Sequence, residues 1–238
     1  MNKSFYIGAL GAHQQQKSMA VTGNNIANVN TYGFKGEKSR FQNLLYQDIK
    51  SADGGDVKTA AGTHMVAADT IYRAGGAAIT NRMQDYMIEG DGFFAVQDPR
   101  TGDISLTRNG AFYTPAQREQ GELTQTYLTD GDGRLVLDQN LQPIPADDVN
   151  ARMPVGIFDC DNYNGMLHLE GTRFQNLAKN GEIRPGTGKI IQGALEASNV
   201  DLTQEIVNMI ETQRAYTMAL KMMTTSDEIE TTINNLRG

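Results

Sequence analysis

Cysteine is almost missing from this chain. The single one, Cys160, rules out an intramolecular disulfide. It sits in VGIFDCDNYNG, and only His13, His64 and His168 exist, none of them close by in sequence, so a small buried thiol is expected rather than a nucleophile. Long apolar runs are missing as well. Nothing approaches the length of a membrane-spanning helix, and no membrane insertion is expected. The N-terminal MNKSFYIGALGAHQQQ is broken by glycine and followed by glutamines, which does not fit a cleaved signal peptide. Basic clusters are also lacking. With a net charge of −7 and a pI near 5.0, nucleic acid is not an expected partner. Nowhere does a Ser/His/Asp set or a metal-ligand cluster emerge, so an enzyme, a metal and a cofactor all lack residues to stand on.

What the chain does have is a long amphipathic stretch at each end. From Ile191 to Leu236 there is no proline and no glycine after Gly193. Leu202, Ile206, Met209, Gln213, Tyr216, Leu220 and Met223 recur with the alternating four-and-three step of a heptad seam. Near Met222 the stripe slides by one position, to Met222, Ser226, Ile229, Ile233 and Leu236, which predicts a straight or gently rotating helix. Asp201 and Glu205 lie where the helix dipole favours acids, and Ser198 with Asp201, or Asp201 with Gln204, has capping-box spacing. Residues 2–28 offer a second stripe, Phe5, Ala12, Met19 and Ile26, flanked by Ile7, Leu10, Val21 and Ala27. Its intrinsic propensity is poor: Gly8, Gly11, Thr22, Gly23, Asn24 and Asn25 each cost roughly 0.5–1 kcal/mol against alanine. Both ends of a free monomer are therefore expected to be disordered. Asn24, Asn25 and Asn28 permit two readings, a fraying terminus or amides that fix register across a packed interface.

Between the ends the pattern changes. Gly33 and Gly36 close the first helix, and Phe34, Phe41, Leu44 and Leu45 resume an apolar pattern. Residues 48–80 are rich in Gly, Ala, Asp and Thr and read as a linker or extended arm. From about Asn81 to Ile183, short alternating strands are separated by turn signals, PRTGD, RNGA and TDGDGR, with Asn-Gly and Asp-Gly where positive φ is needed. The expected fold class is α+β: long N- and C-terminal helices packed as a coiled-coil-like pair, an inserted all-β domain and an extended arm. The boundaries are 1–47, 48–80, 81–190 and 191–238.

Three motifs recommend chemistry and fail on inspection. Asp130, Asp132 and Gly133 begin like a calcium loop, yet Arg134 and Leu141 stand where further acidic ligands belong, so a hairpin turn is expected. PGTGKI, Pro185 to Ile190, lacks the first glycine and the hydroxyl residue of a phosphate loop. Glu89 to Gly92 lacks the third glycine and following helix of a dinucleotide site and reads as strand-turn-strand. The methionines at 209, 218, 222 and 223 suit helix-seam packing better than a promiscuous binding surface.

The run GNNIANVNTYGFKGEKSRFQNLLYQ, Gly23 to Gln47, resembles the N-terminal signature of the bacterial flagellar rod and hook proteins, typically A-N-N-[LI]-A-N-x-x-T-x-G-[FY]-[KR]. Asn24, Asn25, Ile26, Ala27, Asn28, Thr31, Gly33, Phe34 and Lys35 match, and Gly23 replaces the commoner alanine. At the other end, Gly193, Leu195, Glu196, Ser198, Asn199, Val200 and Asp201, then Gln213, Arg214, Ala215 and Tyr216, are similar to the family's second hallmark. FQNLLYQ and EGDGFFAVQ bring the chain nearest to the distal-rod branch.

The resemblance implies a structural subunit of the flagellar rod, the axial drive-shaft of the basal body in the cell envelope. Its terminal helices would pack on each other and on copies of themselves as the inner layer of a tube, with the β domain outside. It further implies rod and hook subunits as partners, an arm that contacts neighbouring subunits, and passage through the flagellar type III export apparatus without cleavage. The assembly interface expected on these grounds comprises Asn24, Asn25, Ile26, Asn28, Thr31, Gly33, Phe34, Asn199, Val200, Ile206, Met209, Gln213, Arg214, Tyr216 and Leu220. The competing readings are a hook or proximal-rod subunit, and a β-domain binding module on a trimeric helical stalk.

Overall fold

The computed structural model describes residues 3–44, 46–50, 56–60, 62–114, 126–146 and 152–237. Leu45, placed above in the renewed apolar pattern, lies outside the described residues, as do 51–55 and 61 of the expected arm. Two compact units divide the chain: one holds 1–27, 37–70 and 201–238, the other 28–36 and 71–200. The class is mixed α and β, two long helices with many short strands.

In the first unit, α1 (Lys3–Ala27) packs along α2 (Leu202–Arg237), and also on a ribbon of strands. The ribbon pairs β1 (Glu37–Asn43) with β4 (Thr63–Thr70), and β2 (Tyr46–Lys50) with β3 (Asp56–Ala60), all antiparallel. Much of the stretch expected as an arm is therefore paired strand. The helices run antiparallel: Gly8 faces Ala219 and Met223, while Gly23 lies near Met209. Asp201 caps α2, its Oδ1 accepting from Thr203 N at 2.9 Å and Gln204 N at 3.3 Å.

Both helices depart from the expected seams. On α1 the buried positions are Gly8, Ala12, Gln14, Ser18, Thr22 and Asn25, whereas Phe5 is exposed and Met19 and Ile26 are half-buried. The cause is a second partner: Gln14 Oε1 accepts from Met65 N, Ser18 and Ser39 share a hydroxyl hydrogen bond, and Asn25 binds the Glu37 backbone. A helix with two neighbours on different faces buries polar positions that a single-seam reading puts in water. On α2 Ser226 is buried and Glu205, Asn208, Met209, Thr212, Ala215, Tyr216, Ala219 and Met223 are half-buried, so Met209, Tyr216, Met223 and Ser226 of the expected stripes do face the covered side. That line keeps the four-and-three step and overlaps the expected one only in part. Leu202, Ile206, Gln213 and Leu220 stay exposed. Close approach explains the choice, since a Cβ on Gly8 would stand 3.0 Å from Met223 Cγ and 3.2 Å from Ala219 O, and only small side chains fit between backbones so near.

The second unit is built from β5 (Ala77–Ile79), β6 (Tyr86–Glu89), β7 (Phe94–Gln97), β8 (Ile104–Thr107), β9 (Leu135–Val136), β10 (Phe158–Asp159), β11 (Leu167–His168), β12 (Arg173–Gln175), β13 (Arg184–Pro185), β14 (Lys189–Gln192) and β15 (Ala194–Glu196). A five-stranded sheet has the order β11-β12-β8-β7-β9. Separate antiparallel pairs join β5 to β15, β6 to β14 and β10 to β13. Apolar side chains cover both faces of β7. Phe94 and Val96 join Tyr86, Ile88 and Phe112 on one side, and Phe93 and Ala95 join Leu106, Phe158 and Phe174 on the other. This explains why FFAV is an unbroken apolar run rather than an alternating one.

Two of the expected turns form and one does not. Gly102 and Gly133 adopt positive φ, at 78° and 82°. At RNGA no hairpin turn forms; Gly110 is required instead because the Tyr86 carbonyl passes where a Cβ would be, and Tyr86 N donates to Gly110 O at 3.0 Å.

Candidate functional site

The two signature runs meet in the second unit, although they lie at opposite ends of the chain. Asn28 starts the approach, its carbonyl accepting from Thr31 N at 3.1 Å and its Oδ1 from the Thr31 hydroxyl at 3.2 Å. Gly33 then turns the backbone at φ 71°, where a Cβ would run into the backbone of Arg108 and Asn109. In that position Gly33 N donates to Glu196 O at 2.7 Å. Phe34 is buried, and Asn199 N reaches its carbonyl. Asn199 also uses its side chain fully: Oδ1 accepts from Gly36 N at 2.8 Å, while Nδ2 donates to Ile71 O at 2.6 Å and Arg73 O at 2.9 Å.

At the centre lies a buried charge cluster. Lys35 Nζ donates to Glu196 Oε1 at 2.6 Å and to Arg73 O at 3.0 Å. Arg108 Nη1 donates to Glu196 Oε2 at 3.0 Å and its Nη2 to Gly90 O at 2.8 Å, while Gly75 N adds a third bond to the carboxylate at 2.9 Å. All three charged side chains are at most 4% exposed. Burial lowers the Lys35 ammonium from its ordinary value; Glu196 opposes that shift and the Arg108 charge adds to it. Two cations around one carboxylate, out of water, form a joint that is costly to break on the acidic side.

The other expected interface residues are distributed differently. Asn25 is committed within its own unit, its Nδ2 donating to Glu37 O at 2.7 Å and its Oδ1 accepting from Glu37 N at 2.9 Å. The Asn25 amide is thus paired with the backbone of β1 in the same chain. Asn24 is exposed, and Ile26 and Val200 are half-buried. Ile206, Gln213, Arg214 and Leu220 are exposed along α2, with Met209 and Tyr216 half-covered. Sequence reasoning missed Arg108 altogether, and it quoted Lys35 and Glu196 without pairing them. The available signal was a lone charge inside a short apolar or small-residue run, as in GALEA and YGFKG.

The rejected motifs take ordinary structural roles. Asp130 Oδ1 accepts from Asp132 N and Arg134 N, each at 2.9 Å, and the Arg134 guanidinium binds Asp130 and Asp132 at 3.2 and 2.5 Å. The turn's two acids are thus engaged by the Arg134 guanidinium. PGTGKI leads from β13 into β14, and Glu89 to Gly92 joins β6 to β7. Burial raises the Cys160 thiol, with Asp159 adding to the effect, so the side chain is a poor nucleophile.

Comparison with known proteins agrees with the position of the two signatures. Residues 5–35 match the profile described as flagella basal body rod protein, and 191–236 match flagellar basal body rod FlgEFG protein C-terminal. Residues 87–152 match the flagellar hook protein FlgE/F/G D1 domain. The flagellar basal-body rod protein FlgG of Bacillus subtilis (strain 168) is 32% identical, with all of both chains covered. The FlgG of Caulobacter vibrioides is 33% identical over 97% of each chain. The chain belongs to the flagellar basal-body rod protein family. The FlgF rod protein of Caulobacter vibrioides is more distant, 29% identical over 96% of this chain and 95% of its own. As a rod-family member this chain is a structural subunit of the flagellar basal body, not an enzyme, and it assembles with other flagellar axial proteins in the apparatus of motility.

Proposed function

We propose that this rod-family subunit polymerises through its terminal helices, which act as a coiled-coil-like pair within the chain and as a joint between copies. The observation that carries this reading is the exposed apolar surface of α2. Leu202, Ile206, Val207, Ile210, Leu220, Met222, Ile229 and Ile233 are all at least 38% exposed, apolar surface of the kind that marks an interaction site. Gln213 and Arg214 lie among them as exposed polar positions that would set register. The overhang of α2 supports the same reading. With Gly8 opposite Met223, the start of α1 lies near Glu228 of α2, so Ile229, Ile233 and Leu236 extend about two turns past the end of its partner. The occupants we assign are copies of this chain, with rod and hook subunits at the ends of the polymer and a distal position along the rod. The arm over 48–80 would contact neighbouring subunits, and the chain would leave through the type III export apparatus with its ends unfolded and uncleaved.

Deleting residues 217–238 tests the joint. The truncated chain is expected to keep a folded β unit and fail to form rods, and rods of normal length would overturn the assignment. Within the full chain, replacing Arg214 should impair assembly more than replacing Lys221; equal effects would reduce Arg214 to a solvated charge.

A further inference from the structure

The joint on α2 concerns assembly, but the β unit carries a separate device that governs its own folding. Residues 189–199 bind a set of earlier segments of that unit, 33–36, 71–89 and Arg108. β14 pairs with β6, and β15 pairs with β5. Gly193 O accepts from Thr80 N and Asn81 N, and Gly193 N donates to Asp85 O. Ala197 N donates to Gly76 O, and Asn199 binds Gly36, Ile71 and Arg73. Glu196 adds the electrostatic part, since it is the sole acidic partner of both Lys35 and Arg108 among the described residues.

From this arrangement we infer that residues 189–199 form a closing strap, and that the β unit stays open until the strap arrives. A chain that appears N-terminus first presents 28–36 and 71–108 well before 189–199, so the segments that the strap completes precede it. Here full closure around Lys35 and Arg108 before Glu196 arrives would leave two buried cations without a carboxylate, a state that is strongly disfavoured. It would also leave β5 and β6 without their partners and the carbonyls of Ile71 and Arg73 without the Asn199 amide. The strap supplies all of these at once, so closure is a single event that waits for a nearly complete chain. The unit is thereby kept open until residues 189–199 have joined the chain. This holds independently of how the helices assemble.

Refolding of the full-length chain from urea, followed by pulsed hydrogen exchange and mass spectrometry of peptides, tests the order of events. Peptides covering 93–107 and 189–196 are expected to gain protection in the same kinetic phase. Glu196→Ala should slow that phase about tenfold or more, because a contact made in the closing step acts on the folding rate. Adding Lys35→Met to Glu196→Ala should recover part of the loss by removing one of the two stranded cations. Protection of 93–107 in an earlier phase, with 189–196 lagging, overturns the inference in the wild-type chain alone. So does Glu196→Ala refolding at the wild-type rate; should that variant not fold at all, Glu196→Gln is measured in its place and judged by the same criterion.

Discussion

Removing Glu196 and removing Lys35 break the same 2.6 Å contact, yet they should have very different consequences. Glu196→Ala leaves Lys35 and Arg108 buried without a counter-charge and strips Gly75 N of its acceptor. Breaking a buried pair on one side costs about 3–5 kcal/mol. Lys35→Met removes a cation whose burial already works against its charge, as the lowered pKa of the ammonium records. The carboxylate then still has Arg108 at 3.0 Å and Gly75 N at 2.9 Å, and the Arg73 carbonyl still has Asn199. An apolar side chain of similar length fills the space, so the cost should stay within about 1 kcal/mol. Urea unfolding of both full-length variants, followed by the near-ultraviolet signal of the tyrosines and compared at common m-values, measures the difference. pH adds a check with a definite sign. A lysine depressed by folding is protonated more fully in the unfolded chain, so the wild type should gain stability as pH rises toward the ordinary lysine value of 10.5, and Lys35→Met should lose that slope. Equal destabilisation by the two variants, or an unchanged slope in Lys35→Met, would refute the charge reasoning.

Gly33→Ala should destabilise the β unit by at least about 1–2 kcal/mol, since it combines a left-handed φ with collision against the backbone of Arg108 and Asn109, and urea unfolding reads it directly. Gly11→Ala should increase the helical circular-dichroism signal of the full chain, because its Cβ would meet only Ala219 Cβ at 3.9 Å and alanine favours helix by about 1 kcal/mol. Gly8→Ala should gain little, with Met223 Cγ at 3.0 Å and Ala219 O at 3.2 Å opposing it; equal gains would contradict the close helix approach. Burial and the hydrogen bond to Asp159 raise the Tyr163 phenol, so its share of stability is complete below the ordinary tyrosine value of 10.0 and is lost as pH rises beyond it. Tyr163→Phe should flatten the alkaline limb of a stability-against-pH curve, and an unchanged limb would remove that assignment.

The element types were legible where local chemistry and packing agree. Asp201 caps α2 as its spacing predicts, and PRTGD and TDGDGR place glycines at positive φ. The helix seams were not legible, because apolar periodicity reports which face is sticky and not which face is covered. On α2 the covered face mixes Met209, Tyr216 and Met223 of the expected seam with small and polar residues such as Ala215, Ala219 and Ser226, while Leu202, Ile206 and Leu220 stand outside it. On α1 the ribbon recruits Gln14, Ser18 and Asn25, whose burial depends on Met65, Ser39 and Glu37 rather than on any neighbour in the helix. The central cluster failed for a related reason. Lys35 and Glu196 are 161 residues apart, and their pairing is a property of the topology that neither local run encodes.

The hairpin at Asp130 has a consequence for the medium in which the rod is built. By carrying the guanidinium of Arg134 between its two acids, the turn brings its own counter-ion. Chelators should therefore leave its conformation untouched, and the loop should hold one shape wherever calcium is scarce or its concentration swings.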